Sequence, residues 1–584
     1  VELFGRSVFP PIGDLPYLLT LSGHGFYWFR LDVSSEPEPS ARPLPELLTL
    51  VMVEGWSSPF DQHNRRLFEG EILPAYLPEQ RWFAGKGRKI ARTSVVGGVV
   101  QPGDPIGWPL TLVDVGFGDG DTQRYFLPLS LTWEEEGSER RNALLPATLS
   151  RARHGRREGA IYDATADPAF APAVIKAMAE GQAHSGRGGS VVFESSAALL
   201  ALSLPADLTA RRIGGEQSNS TLLVDEFAVL KLYRRLAVGI QPEIEMARFL
   251  TDVARFPNTP PLLGAARFLA EGGEETALAV LFGYVRNQDS AWAQALNYLT
   301  RFIDEALLMM PRETRPTEPP TPEAAAHPLY LDLAAQLGQR TAELHRALCP
   351  AQPVDAAFAP EPTTAADLAA WAKRAAAQRE AMFNGLAWRR DDLPAPAQEL
   401  ADRVLQQRAL LEARFAGWLP GSTAALKTRY HGDYHLRQVL AVQNDFHIID
   451  FEGEPMRALE ERREKGSPLR DVAGMLRSYA YAAATVVRQM AEIQPAALPV
   501  LQTSAESWRR QVVDTFLASY RQAATNLPSI PEDPATVDAL LRFFTLEKAV
   551  YEVGYELAQR PQWVAIPLAG VLALIEGEGE RGPA

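Results

Sequence analysis

The stretch that most constrains this chain is His431-Gly432-Asp433-Tyr434-His435-Leu436-Arg437-Gln438. Two short apolar runs follow it, Val439–Val442 and Phe446–Ile449, and then Asp450-Phe451-Glu452-Gly453. The runs flank Gln443-Asn444-Asp445, so they predict a β-hairpin. With those three residues as the loop, Val442 faces Phe446 and Gln438 faces Asp450. Paired strands lie about 4.8 Å apart. An amide oxygen and a carboxylate then meet at one end of the hairpin, within reach of a shared divalent cation. Asp433 lies five residues before Gln438, on the loop that enters this place.

These residue types suit phosphoryl transfer. Mg²⁺ takes a few protein oxygens together with phosphate oxygens, and a further carboxylate on the loop is free to accept a proton from a hydroxyl. Kinases divide the work in this way, with one base and two metal-holding residues. The protein-kinase pattern is His-Arg-Asp, an Asn five residues later, and then Asp-Phe-Gly. Here Gly432, Gln438 and Glu452 replace the Arg, the Asn and the last Gly.

An upstream partner is expected. The strand-like runs Ser220–Val224 and Phe227–Tyr233 flank Asp225-Glu226, and a two-residue turn there puts Ser220 opposite Lys231. The loop Gly214–Asn219 then ends beside a lysine, with small polar donors for phosphate. A helix follows, with Pro242 in its first turn. Glu243 and Glu245 both remain candidates to pair with Lys231. Helical angles favour Glu243, which lies nearer the Met246, Phe249, Leu250, Val253 stripe. The run Ala277–Phe282 ends at Gly283-Tyr284-Val285, a connector whose backbone groups at Gly283 and Val285 could read adenine.

Around these segments the order of elements is strands first and helices after. That order predicts an α+β, bilobal, protein-kinase-like architecture with a small sheet lobe and a large helical lobe. The expected divisions are a β-hairpin over 1–33, a Pro/Ser/Glu linker over 34–45 and an N-terminal α/β cap over 46–205. A nucleotide-binding sheet over 206–286 and a helical lobe over 287–584 complete them. Pro311–Pro328 and Pro350–Pro362 read as surface excursions. The net charge of -14 argues against nucleic acid or anionic lipid as partners. The single cysteine, Cys349, excludes a disulfide framework and multi-thiolate zinc sites. The visible start shows no targeting segment, and the apolar tail Trp563–Ile575, interrupted by Pro567, is too short for a membrane span. A cytoplasmic location is expected.

The segment His431–Gln438 with Asp450-Phe451-Glu452-Gly453-Glu454-Pro455 resembles bacterial maltokinases, relatives of the aminoglycoside phosphotransferases and choline kinases. Three other stretches carry the same resemblance: Leu77–Lys86 with its Gln80-Arg81-Trp82-Phe83, Ser467–Ser478, and Tyr551–Leu557. It spans roughly 46–576, and the Gln-Arg-Trp-Phe part belongs to a cap that most related kinases lack. The resemblance implies transfer from ATP, with Mg²⁺, to the anomeric hydroxyl of maltose, giving maltose 1-phosphate for α-glucan (glycogen) synthesis. It implies Asp433 as base, within a catalytic loop that includes His431 and is braced by Asp471. Gln438 and Asp450 would hold the metal. Gln217, Ser218, Asn219, Ser220 and Lys231 would hold phosphates, and Glu245 becomes the better match for the lysine's partner. The sugar side would comprise His435, Arg477, Tyr551, Glu552 and Tyr555. Arg437 departs from the pattern, where a small residue is expected.

Residues 1–33 are similar instead to the final strands of trehalose synthase, an enzyme that interconverts trehalose and maltose. The chain then reads as the C-terminal part of a fusion of that enzyme to a maltokinase. Two other functions stay open: a kinase of the same fold for another hydroxyl substrate, and a non-catalytic sugar-binding module.

Overall fold

The computed structural model describes residues 47–53, 55–56, 62–103, 107–133, 144–205, 207–213, 219–309, 327–353, 355–455 and 457–577. The expected hairpin over 1–33 and the linker over 34–45 lie outside these residues. So do Gln217, Ser218 and most of the first Pro-rich excursion.

Two sheets, with short helical segments among their strands, precede the long helices. Their strands are β1 (Thr49–Val51), β2 (Ile90–Gln101), β3 (Trp108–Phe117), β4 (Thr122–Trp133), β5 (Thr148–His154), β6 (Arg157–Asp163), β7 (Ala183–Gly186), β8 (Gly189–Ser195), β9 (Ala210–Ile213), β10 (Asn219–Val224), β11 (Ala228–Tyr233), β12 (Arg235–Leu236), β13 (Leu262–Ala270) and β14 (Glu275–Gly283). The first sheet runs β1-β5-β6-β4-β3-β2, and the second β7-β8-β13-β14-β11-β10-β9. Strands β7 and β8 thus belong to the second sheet. A boundary at 205 does not separate the two sheets, because β7 and β8 of the second lie before it and β12 of the first lies after it.

The sheets are joined at their core. Helix α1 (Phe170–Ala179) shares one apolar cluster with Trp108, Leu110 and Phe126 of the first sheet and Leu230, Val280 and Leu281 of the second. After β11 of the second sheet the chain returns to the first, where β12 pairs with β4. Beside that crossing, Arg234 is fully buried. Its guanidinium ion-pairs with Asp163 at 2.6 Å, donates to Ser220 Oγ at 2.7 Å and Thr165 Oγ1 at 3.0 Å, and lies 4.7 Å from the Trp82 ring centre. The Gln80-Arg81-Trp82-Phe83 segment therefore places Trp82 under the seam between the sheets.

The remainder is helical. Short α2 (Pro242–Arg248) starts with Pro242 at its first position, as the sequence predicts. Longer elements follow: α3 (Ala291–Met309), α4 (Pro328–Ala347), α5 (Ala365–Arg389), α6 (Ala395–Gln406), α7 (Arg408–Trp418), α8 (Leu469–Ile493), α9 (Leu498–Ala523), α10 (Pro534–Gln559) and α11 (Ala565–Ile575). The predicted stripe Leu337, Thr341, Leu344, Leu348 is wholly buried, as 3.6-residue periodicity requires. Pro567 does not break the tail; it sits in the first turn of α11, where a missing N–H costs nothing. The second Pro-rich excursion is not purely superficial either. Phe358 is buried and stacks on Phe249 with ring centres 3.8 Å apart. Among the described residues no helix is long and apolar enough to cross a membrane.

Removing one member of a buried ion pair strands the other charge. Asp163→Ala is expected to cost about 3–5 kcal/mol, read as a lowered midpoint of thermal unfolding. Combining it with Arg234→Met should recover part of that loss.

Candidate active site

The hairpin of the catalytic segment forms, but with a shorter loop than the composition suggests. Val442 pairs with Asp445 and Val439 with Ile448, so Gln443-Asn444 alone make the turn. Gln443 takes φ +56°, the left-handed conformation that two-residue hairpin turns use. Asp445 is drawn into the ladder because Arg340 of α4 grips its carboxylate at 2.7 and 2.8 Å. A one-residue change of register would turn Asp450 away from Gln438, and the backbone at Gln438 is instead bonded to Ile449. Asp450 compensates with φ +66°. Its Oδ2 accepts from Gln438 Nε2 at 2.6 Å, so the expected pair is made by a different backbone path.

The second hairpin shows the same kind of difference. Val224 pairs with Ala228, leaving Asp225, Glu226 and Phe227 as the loop, with Asp225 at φ +45° and its carboxylate held by Thr209. Lys231 therefore faces Thr221. Ser220 lies on the opposite face, buried and bonded to Arg234, so its hydroxyl is not offered beside Lys231. Asn219 does reach the site, donating to Glu452 Oε1 at 2.9 Å.

Lys231 is the centre of the cluster. Its Nζ lies 3.0 Å from Glu243, 2.7 Å from Asp450 and 2.5 Å from Glu452. The choice between Glu243 and Glu245 is resolved toward Glu243. Glu245, the partner that the resemblance implied, is held instead by the buried Arg429 and by Arg463, each at 2.6 Å. Tyr233 also donates to Glu243 at 2.6 Å. Burial, with Glu452 and Asp450 adding to it, pushes the Glu243 carboxyl up to about 8 against the pull of Lys231. For Lys231, burial works to lower the pKa, but Asp450, Glu243 and Glu452 outweigh it and raise it well above the ordinary lysine value. The three carboxylates have oxygens within 4.8 Å of one another. They outnumber the one ammonium, which is the charge imbalance a divalent cation relieves.

The catalytic loop is braced from α8. Asp471 accepts the backbone N–H of His431 at 2.7 Å and that of Gly432 at 2.9 Å, and lies 3.2 Å from His345 Nε2. Its carboxylate serves the loop although it stands in the first turn of its own helix. Gly474 makes the approach possible, because a Cβ there would lie 2.6 Å from the Tyr434 carbonyl oxygen. His431 is buried, its Nε2 2.9 Å from the Ile449 carbonyl and its ring 4.7 Å from Phe451. Burial lowers its pKa and keeps it neutral, so it positions Asp450 rather than carrying charge.

Asp433 faces α10. Lys548 Nζ is 3.1 Å from Asp433 and 2.8 Å from Glu454. His435 Nε2 stands 3.7 Å from Asp433, an electrostatic contact too long for a hydrogen bond, and its buried Nδ1 has no protein partner. Burial pushes the Asp433 carboxyl upward, but Lys548 and His435 outweigh it and hold it far below the usual carboxylate range. Further along α10, Glu552 ion-pairs with Arg477 at 2.7 Å, and Tyr551 and Tyr555 stack with centres 6.5 Å apart. A polar cavity of about 30 Å³ lies behind Lys548, lined by Gln378, Glu454, Arg457, Arg470, Glu547 and Tyr551 among others.

The remaining sequence candidates are placed elsewhere or spoken for. Arg437 does not crowd the metal-holding pair; it lies over the Trp292 ring at 4.5 Å. The Gly283 N–H is taken by the Pro261 carbonyl, and the Val285 carbonyl accepts from Asn287 with one of its two lone pairs. Glu452 and Lys548 are the functional candidates that sequence reasoning missed. Lys548 stands three residues before Tyr551, a spacing that shares one helical face, and that was the available signal.

Comparison with known proteins follows the same division. Residues 76–167 match the family described as Maltokinase N-terminal cap domain. The chain is 28% identical over 355 residues to a glucosamine kinase of Streptacidiphilus jiangxiensis, covering 60% of this chain and 70% of that one. It is similar in fold to a solved glucosamine kinase in complex with glucosamine, ADP and inorganic phosphate, with TM-score 0.56, 21% identity, and 84% and 96% of the two chains covered. The bilobal kinase-like fold with its cap is therefore shared. At its N-terminal region the chain is 61% identical over 44 residues to a trehalose synthase of Pimelobacter sp. (strain R48), which is 8% of this chain and 7% of that protein.

Asp471→Asn would aim an amide donor at one of two buried backbone donors. The expected loss is about 1–3 kcal/mol, measured as a lower thermal midpoint than for the wild-type protein.

Proposed function

We propose that the protein is an ATP-dependent sugar kinase that phosphorylates maltose at its anomeric hydroxyl. The observation that carries the reading is Asp433, ionised beside Lys548 and joined through one short hairpin to the Gln438–Asp450 pair and Lys231. Asp433 orients the sugar hydroxyl and receives its proton as the phosphoryl group moves in line from the nucleotide. Lys231 leaves its carboxylates to hold nucleotide phosphates. The donor set of Asp450, Glu452 and the Gln438 amide oxygen suits Mg²⁺, which takes hard oxygens. When bound it would neutralise phosphate charge.

The choice of maltose is supported by the cap-family match and by the stacked Tyr551–Tyr555 pair beside Lys548, rings suited to the apolar faces of a glucose unit. The glucosamine kinase relatives favour a second reading, an amino-sugar acceptor. Charge pairing on the acceptor side speaks against it. Asp433 and Glu454 are matched by Lys548 and Arg457, Glu547 by Arg470 and Glu552 by Arg477. No carboxylate of this group is left over for a sugar ammonium. The similarity to trehalose synthases supports an association with an enzyme that supplies maltose, and a cytoplasmic setting suits both.

The test is ADP release from ATP–Mg²⁺ with maltose, glucosamine, glucose or trehalose, with phosphorus NMR of the product. Maltose-dependent turnover and a 1-phosphate signal are expected; a preference for glucosamine would replace this reading with the second. Asp433→Asn should lower kcat at least about 10²-fold, together with a lowered thermal midpoint because Lys548 keeps only Glu454 as a carboxylate partner.

The pH dependence follows from Lys548. The depressed pKa of Asp433 keeps it ionised throughout the neutral range. Its contribution to stability is present above the unfolded value, about 4, and is lost only as pH falls through the lower folded value. Lys548→Met leaves burial less opposed, so the acid limb of the kcat/KM profile should move up by about 1–3 pH units.

A further inference from the structure

The segment that follows Asp450-Phe451-Glu452-Gly453 is rich in cations, and nearly all of them are matched. Arg457 meets Glu454 at 2.5 Å, Arg463 meets Glu245 at 2.6 Å and Lys465 meets Glu361 at 2.5 Å. Arg470 meets Glu547 at 2.5 Å and Arg477 meets Glu552 at 2.7 Å. Arg462 is different. Its Nε donates to the Arg457 carbonyl at 2.8 Å and its Nη2 to the Pro455 carbonyl at 2.7 Å. Among the described residues no carboxylate comes within ion-pair distance of it.

Its position is specific. Arg462 ends the short helix Leu459–Arg462, and its stem lies against Gly453, where a Cβ would be 3.3 Å from the Arg462 Cβ and 3.5 Å from its Cγ. The charges that act on it come from Glu452 on the nucleotide side, Asp433 and Tyr551 on the acceptor side, and Arg235 of β12. Through Gly453 it lies beside Glu452, which meets Lys231 at 2.5 Å, and Glu454, which meets Lys548 at 2.8 Å, so it stands where the two charge clusters adjoin. Burial, with Arg235 adding to it, lowers its pKa, as befits a half-buried guanidinium with no anion of its own.

Resting on the phosphotransferase reading above, we propose that Arg462 is a catalytic residue that binds the phosphoryl group in flight. Two backbone carbonyls hold the guanidinium in orientation, and its remaining N–H groups face the peripheral oxygens of the terminal phosphate. A planar fork of donors matches such oxygens. As the bond from the terminal phosphorus to the ADP oxygen breaks and the bond to the sugar oxygen forms, the hydroxyl proton passes to Asp433 and the bonding pair leaves with ADP. Arg462 is unchanged and neutralises charge on the oxygens throughout. Without an anion to abandon, it meets the phosphate with no ion pair to break, whereas Lys231 must first give up three carboxylates.

The experiment compares Arg462→Gln with wild type for kcat and for binding of ADP–Mg²⁺ and of a non-hydrolysable ATP analogue with Mg²⁺. The expected loss in kcat is about 10²–10³-fold. Affinity for the analogue should fall clearly while affinity for ADP stays within about twofold, because the residue faces only the terminal phosphate. Added guanidinium ion should restore part of the rate to Arg462→Ala. Arg463→Gln, which breaks the pair with Glu245, reports the purely structural effect of losing a neighbouring cation and should not separate ATP from ADP. If Arg462→Gln does not fold, Arg462→Lys keeps the charge and replaces it in the comparison. A kcat within about threefold of wild type, or equal weakening of both nucleotides, overturns the proposal. The binding arm needs no acceptor. Wild-type protein that binds both nucleotides but ignores maltose would remove the acceptor assignment alone, while wild-type protein that binds neither would remove both.

Discussion

The ammonium of Lys231 is the interaction on which the catalytic half of the molecule depends. It lies on β11, yet its three partners come from α2, in Glu243, and from the end of the catalytic hairpin, in Asp450 and Glu452. One cation, only 13% exposed, thus ties the sheet, the helix packed on it and the helical lobe to a common point. Removing the cation would leave three crowded carboxylates, of which Glu243 is buried, a costly arrangement.

The second brace works from the other side. Asp471, itself 2% exposed, spends its carboxylate on two backbone N–H groups of the catalytic loop. Buried N–H groups must be satisfied somewhere, and a loop that turns through Gly432 at φ +87° cannot satisfy them by itself. The long helix α8 therefore acts as a splint. It carries Asp471 under the loop, Ser478 to the Leu436 N–H, and Arg477 to Glu552 on α10. Asp433 is left free of backbone duties and faces Lys548. Its charge is set by a residue more than a hundred positions away in sequence.

Much of this was legible in the residues. The loop–hairpin–Asp spacing foretold that Gln438 and Asp450 would meet, helical angles pointed to Glu243 although the family resemblance pointed to Glu245, and the stripe of α4 foretold its buried face. Two hairpin registers were not legible, and both are off by one for a physical reason. Loop length depends on which residue accepts a positive φ, and Gln443 and Asp225 did so because distant partners, Arg340 for Asp445 and Thr209 for Asp225, stabilised the resulting pairing. Ser220 was misplaced by the same slip. The Gln438–Asp450 pair survived only because Asp450 turned back through a left-handed conformation.

What the sequence by itself determined is the set of local structures and the chemistry they carry: strands before helices, a carboxylate on a loop, an amide and a carboxylate at the ends of a hairpin, and an aromatic pair at helical spacing. These follow from periodicity and turn preference, which act over a few residues. Only the tertiary structure decided which charges meet. Arg234 sits under Trp82 between two sheets, Lys548 sits on Asp433, Glu452 joins Asp450 at Lys231, and Arg462 has no ion-pair partner among the described residues. Pairing between charged groups far apart in the chain is set by how elements pack, because Coulomb energy in a low-dielectric interior depends on distance in space and not on separation along the chain.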